Sequence, residues 1–490
     1  MNDKIKNKIY YLLPIVLILV SLYCVFNNYL WADETFSLII TKKTYTDMIY
    51  NLSIDMHPPV YFSILKFGSI LLKPLFNGNI IYAAKFVTFL PIILLVIVGF
   101  TLVRKLYGKL VSFLFNIFIV SMPEMLVFAV EIRMYSYALL FVTVSFLYGI
   151  KALRENKKID WVLFTIFTLL SVYTHYFSTI TSMAIYFVMM LYVLFKEKKL
   201  IKRFFMSAFT IVIAFTPWLL LQITKLFSGG LIDNFWITRP TLNDIWSYVK
   251  FPFSVMRFHF VSYILIIITA LIGLNLLINL FKKKDERLLY EALYAVIIVI
   301  LVTFAGTVVS LFIKPIFVRR YMVPGLGCFW LGVAIAIKEL VTNAKLKNIL
   351  ILTYILSGFV VITERLVIEY DYSKELEKMH DVLDNNLKEN DVIITNKQTI
   401  QQTLTYYYPK TKMYLLGSYN LSLLYDNTFD MNYVINIKSL DEIKDINNKN
   451  YIFASSSKDF FKDFNIDINK LKVLGSYYLD NAGEVVFYRY

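Results

Sequence analysis

Charge is scarce in this chain. Asp, Glu, Lys and Arg make up only 17% of its 490 residues, hydrophobic residues make up 58%, and mean hydropathy is +0.60. Cysteine is nearly absent. Cys24 and Cys328 both lie in apolar runs, so no disulfide framework and no CxxC metal site exists. Internal repeats and low-complexity segments are missing as well. The net charge of +15 raises the question of nucleic acid. No soluble segment carries a basic face with interleaved aromatics, which excludes that class.

What the chain does have is apolar runs near 20 residues, repeated through its first three quarters. They predict a polytopic α-helical membrane protein. The Lys and Arg residues sit mainly in the short segments between runs, as the positive-inside rule requires. About eleven spans follow, and the first starts inside after Lys4, Lys6 and Lys8. It resembles a signal h-region but lacks a small-residue cleavage pattern after it, so it reads as a retained helix. The spans run about 9–28, 80–103, 110–130, from Glu131 to Lys151, then 161–177, 180–195, 204–221, 258–281, 288–313, 321–337 and 349–363. The stretch 60–75, broken by Lys66 and Lys73, suits an interfacial helix. The predicted inner segments hold roughly twice the Lys and Arg of the outer ones, which puts the N-terminus in the cytoplasm.

From about Glu364 the composition turns polar. The predicted domains are therefore 1–364, a membrane domain, and 365–490, a small extracytoplasmic α/β domain. Strands are expected at 391–395, 413–416, 451–454, 473–478 and 485–490, with a helix at 399–408 and a hairpin turn at 481–484. That domain lacks GxGxxG, a P-loop and any metal spacing.

Five polar clusters fall at span ends on the predicted outer side. Trp31-Ala32-Asp33-Glu34 comes first. Adjacent carboxylates diverge on a helix, so Asp33 and Glu34 have different jobs, one facing a site and one supporting structure. The competing reading is a solvated pair, or Asp33 as a helix cap. In Asp55-Met56-His57-Pro58-Pro59 the prolines hold His57 out of helical backbone and start the next helix. His57 there meets a phosphate, or joins Asp33 or Glu34 on a divalent metal; otherwise Asp55 and His57 are merely solvated. Glu131-Ile132-Arg133-Met134-Tyr135 puts Arg133 where it needs Glu131 or an anionic ligand, unless it snorkels. Arg319-Arg320-Tyr321 repeats that pattern, and paired outer arginines run against the positive-inside rule. His175, beside Tyr176, reads equally as an interface residue. His259 and His380 have no motif around them. A base, phosphate-binding cations and a lipid-accessible face together suit transfer from a lipid phosphate to a hydroxyl.

These motifs carry a resemblance. Trp-x-Asp-Glu after the first span, Asp-x-His-Pro-Pro-x-Tyr, Arg-x-Tyr and Arg-Tyr-x-x-Pro resemble bacterial GT-C glycosyltransferases. More narrowly, they resemble family 39 and the aminoarabinose-transferase-like proteins related to protein O-mannosyltransferases, over about residues 8–340. The resemblance implies a polyprenyl-phosphate sugar donor, an outer-face site and inverting transfer of a hexosyl or pentosyl group. It implies Asp33 as catalytic carboxylate, Glu34 as its structural partner, and His57 where aminoarabinose transferases carry a Lys. It also implies that Arg133, Arg319 and Tyr321 line the donor or acceptor cavity, and Asp55, Glu131, Tyr135, His175 and Arg320 join them as candidate binding residues.

Two departures narrow the implication. Aminoarabinose transferases follow Asp-Glu with an Arg two residues later, where this chain has Phe36, so aminoarabinose itself is not implied. Protein O-mannosyltransferases insert a β-trefoil in a luminal loop, and no loop here is long enough. The expected function is an integral-membrane, bacterial glycosyltransferase acting on an envelope glycan, lipid or protein. The alternative is a lipid or polysaccharide transporter. Transporters place ionisable relays within spans, and here the span centres are nearly uncharged apart from Lys85.

Overall fold

The computed structural model describes residues 3–55, 57–227, 237–282, 286–417, 428–430, 432–443, 451–464, 466–480 and 482–489. Met56 and the expected turn residue Asn481 lie outside the described residues. The chain divides into two compact units. One comprises 1–25, 57–223 and 233–366; the other comprises 26–56, 224–232 and 367–490.

The first unit is a helical bundle of a multi-pass membrane protein. Among the described residues nine helices are long and apolar enough to cross a membrane. Two expected spans are shorter helices, Lys109–Ser121 and Lys158–Val172. The first stops because Met122 is extended ahead of Pro123, as the residue before a proline tends to be, and Glu124 is left-handed at φ 68°. The segment 60–75 forms Val60–Leu72 and the 3-10 turn Lys73–Phe76, too short to cross, with Phe67, Ile70, Leu71 and Leu75 exposed.

Two helices form the centre. The apolar windows of Tyr135–Glu155 and Arg319–Leu340 are 89% and 83% buried, against 17% for Lys198–Ile223, whose exposed Phe, Val and Ile side chains suit lipid. Tyr135–Glu155 packs on Lys158–Val172, Ile80–Val98 and Val323–Leu340. Close approach needs small residues, because no hydrophobic force separates helix from lipid. A Cβ on Gly327 would overlap the Thr143 hydroxyl, and one on Gly332 would lie 2.7 Å from the Ala292 carbonyl oxygen. At the C-terminal end of Tyr135–Glu155, Lys151 pairs with Asp160 at 2.5 Å, and the Arg154 guanidinium grips the Glu291 carboxylate through two nitrogens. Both carboxylates are buried, so pairing is what makes them tolerable.

The last apolar helix runs Ala344–Asn386, well past the expected end at 363. Its polar half continues because Leu376, Met379 and Leu383 recur at helical spacing and enter the core of the second unit.

That unit holds a six-stranded sheet in the order β3-β2-β1-β4-β6-β5. The strands are β1 Val392–Thr395, β2 Lys412–Leu416, β3 Val434–Ile437, β4 Tyr451–Ser455, β5 Lys472–Leu479 and β6 Gly483–Arg489. The first four are parallel, and the β5–β6 hairpin adds antiparallel to β4. β3 is absent from the sequence reading, since four residues interrupted by Asn436 give little pattern. Successive side chains of β1 feed opposite faces. Ile393 joins Leu376, Leu404 and Phe487, while Val392 and Ile394 join Phe453, Phe460 and Phe461. The helix Gln398–Tyr407 covers the first face with Ile400 and Leu404.

We expect Gly327→Ala to destabilise the protein in detergent by about 1–3 kcal/mol, the cost of overpacking. Thr143→Ala, which removes the overlapped hydroxyl, should recover most of that loss. Thermal melts of the two single variants and the double variant test this; purely additive effects refute the contact.

Candidate active site

Four helices of the bundle begin at one place. Val60–Leu72 starts after His57-Pro58-Pro59, Tyr135–Glu155 after Arg133, Tyr176–Phe195 after His175, and Val323–Leu340 after Arg319-Arg320-Tyr321. The Val60 amide donates to the Tyr173 carbonyl at 3.0 Å, tying the first start to the third. Helix starts present unsatisfied N–H groups and the positive end of the macrodipole, so their convergence favours an anion.

The side chains at these starts meet. The His57 Nε2 lies 3.1 Å from a terminal nitrogen of Arg133. Arginine only donates, so this Nε2 accepts and the ring carries its proton on Nδ1. Arg133 is buried at 5% exposure. The Arg320 guanidinium stands 6.0 Å from the centre of the Tyr135 ring. Tyr135 is 5.5 Å from His175, ring to ring, and Tyr321 is 5.2 Å from it. Glu131, Arg133, Arg320 and Tyr321 all act electrostatically on the Tyr135 hydroxyl.

His175 is the N-cap of its helix. Its Nδ1 accepts from the Phe177 amide at 3.1 Å. Burial drives its pKa well below the usual imidazole range, helped by the cations Arg133 and Arg320. A neutral ring whose Nδ1 is an acceptor carries its proton on Nε2. His175 is therefore a fixed donor.

Aromatic packing holds Tyr321. Its ring stacks on Phe177 at 4.4 Å, and Phe177 in turn meets Phe317 at 5.4 Å. Phe317 is buried over Gly306, where any Cβ would overlap its ring.

The two arginines of the pair part company. Arg320 faces Tyr135 and His175, whereas Arg319 acts on Glu124 together with Arg365. Burial pushes the Glu124 carboxyl up to about 7 against these two cations, with Glu364 adding repulsion. Glu364 itself accepts from the amides of Met256, at 3.0 Å, and Arg257. Glu124 escaped the sequence reading. The signal available was a lone carboxylate inside an apolar run, just after a proline.

Asp33, Glu34 and Asp55 belong to the second unit. Asp33 and Glu34 lie in the first turn of helix Ala32–Lys42. Glu34 is buried, and its carboxylate accepts from the Trp31 amide at 3.2 Å, while the Trp31 carbonyl accepts from the Glu34 amide at 3.0 Å. Glu34 thus closes the helix start. Asp33 is half-buried beside it. Asp55 caps the C-terminal end of Tyr45–Ile54, its amide donating to the Asn51 carbonyl at 2.9 Å. Among the described residues no group of three His, Cys, Asp or Glu side chains is placed to hold a metal ion.

No protein-family model matches the chain, and neither does any curated protein. Solved structures do. ArnT from Cupriavidus metallidurans in the apo state superposes with TM-score 0.61 over 97% of each chain, at 10% identity. The same protein bound to undecaprenyl phosphate superposes with TM-score 0.61 over 98% of this chain and 97% of its own, at 12% identity. The chain has the GT-C glycosyltransferase fold.

A carboxyl raised to about 7 from its ordinary 4.5 holds its proton more tightly folded than unfolded, so its contribution to stability is lost as pH rises through that window. The melting temperature should fall more steeply from pH 5 to pH 8 in the native chain than in Glu124→Gln. Equal slopes would refute the assignment.

Proposed function

We propose that the protein is a membrane glycosyltransferase that takes a sugar from a polyprenyl-phosphate donor and passes it to an envelope acceptor on the outer face. The observation that carries this reading is the convergence of four helix starts bearing His57, Arg133, His175 and Arg320. Such a site suits a phosphate that gains charge as its bond to sugar breaks. The fold it shares with ArnT, a protein seen with undecaprenyl phosphate, supports the choice of a lipid phosphate.

In this reading the acceptor hydroxyl attacks the anomeric carbon, the bond from that carbon to the phosphate oxygen breaks, and the configuration inverts. Asp33 takes the hydroxyl proton. The phosphate leaves as an anion held by Arg320, by Arg133 with its orientation fixed by His57, and by the His175 Nε2–H. Tyr135 and Tyr321 wall the site, and Glu131 balances Arg133. Asp55 and Arg319 act further out, on loop and helix position. The N-terminus lies in the cytoplasm and the sheet domain outside, as the distribution of Lys and Arg favours.

The test is transfer of labelled sugar from a panel of polyprenyl-phosphate sugars to extracted envelope acceptor by purified protein, with and without a chelator. Asp33→Asn should lose about 10²–10⁴-fold in rate, the usual weight of a general base, while remaining inserted and folded. Full activity in that variant refutes the mechanism. Arg320→Lys, which loses the planar fork, should cost about tenfold or more. No turnover of any donor, with polyprenyl phosphate still bound tightly, would move the chain to a transporter.

A further inference from the structure

Residues 26–56 lie between two helices of the membrane bundle in sequence, yet they fold as part of the unit that contains the C-terminal sheet. The attachment is specific. The Asn27 amide nitrogen, buried, donates to both the carbonyl and the carboxylate of Glu369, at 2.8 and 2.6 Å. Its own oxygen accepts from the Tyr29 amide at 2.8 Å. The Tyr29 ring enters the sheet's core, stacked on Tyr372 at 4.5 Å and 5°, and its hydroxyl accepts from the Asp480 amide at 2.7 Å. The Tyr407 hydroxyl donates to the Asn28 carbonyl at 2.7 Å.

The contacts continue along the next helix. Ala32–Lys42 packs on Gln398–Tyr407, the Lys42 ammonium sits 4.7 Å from the Tyr406 ring centre, and Ile39 packs on Phe429 and Val434. Burial and the facing Glu34 carboxylate push the Tyr407 phenol above its ordinary pKa, so it stays a donor. Every residue from Asn27 to Tyr29 is thus held by the rest of this unit, four to six residues ahead of Asp33.

We propose that the C-terminal domain is the platform that positions Asp33, and that Asn27, Tyr29 and Tyr407 are positioning residues for the transfer. This rests on the reading of Asp33 as the catalytic carboxylate. A segment held through side chain or backbone at three successive residues has little freedom to drift. A shift of a reacting group by about 1 Å costs on the order of 10²-fold in rate. Such a role lowers kcat and leaves KM for the lipid donor alone, because the donor's phosphate is held elsewhere.

The experiment uses the full-length protein and two readouts. Hydrogen exchange of residues 32–42 should quicken in Tyr407→Phe and in Asn27→Ala, with exchange of the β1–β4 strands unchanged. Transfer by the same variants should show kcat lowered about 10–100-fold and KM for the polyprenyl-phosphate sugar within about twofold. Phe461→Leu, on the opposite face of the sheet, is the control for a merely structural role. It should loosen the domain without changing exchange at 32–42 or kcat. Unaltered exchange in Tyr407→Phe and Asn27→Ala overturns the proposal, as does an equal fall of kcat in Phe461→Leu. Should Asp33→Asn prove active, the transferase reading fails, while the exchange readout still decides whether the domain holds this helix.

Discussion

Charge inside a low-dielectric bundle is tolerable only where it is met by opposite charge, by hydrogen bonds or by a ligand, and the helical unit is arranged around that constraint. At one end of the central helix the constraint is met within the protein, by Lys151 with Asp160 and by Arg154 with Glu291. At its other end the cations are Arg133 and Arg320. Two arginines, two histidines and four helix starts come together around Tyr135. The histidines add directionality. His57 is an acceptor for Arg133, and His175 is a donor whose tautomer is set by its own helix cap. An assembly of donors in fixed directions costs little reorganisation when an anion forms in it.

The scaffold follows from the need to hold those helix starts in place. Tyr135–Glu155 and Val323–Leu340 are the buried pair that everything else surrounds, and they approach closely because Gly327 faces Thr143. Phe177 and Phe317 then fix the Tyr321 ring ahead of the second of these helices. Adjacent residues on a tight turn point different ways, which is why Arg320 stands over the Tyr135 ring while its neighbour Arg319 is exposed and acts electrostatically on Glu124.

In the second unit the organising element is an apolar core. The sheet and its covering helices supply a core, and the segment from Asn27 to Lys42 is anchored on it at several points. Tyr29 belongs to the sheet's core as fully as Leu404 or Phe487 does, although more than 300 residues separate it from them in the chain. Glu34 closes the helix start with its carboxylate, beside Asp33 in the same first turn.

Much of this was legible in the sequence, because hydrophobic length and turn chemistry are local. The apolar runs, the polar clusters at their ends, five of the six strands and the Gln398–Tyr407 helix are all short-range signals. The motifs also pointed to the GT-C fold, although identity to the solved structures that share it is only 10–12%. Other features depend on long-range contact and left no local trace. The break of the third apolar run needed Met122 to be extended and Glu124 left-handed. The long continuation of Ala344–Asn386 depended on a core built partly from β-strands far downstream. The sequence by itself determined which residues are costly in a membrane and where helices begin, since burial energy and capping act over a few residues. Only the tertiary structure decided which of those helix starts meet, which arginine faces inward, and that Asn27 to Tyr29 belong with the C-terminal sheet, because each is a contact between segments that no local pattern links.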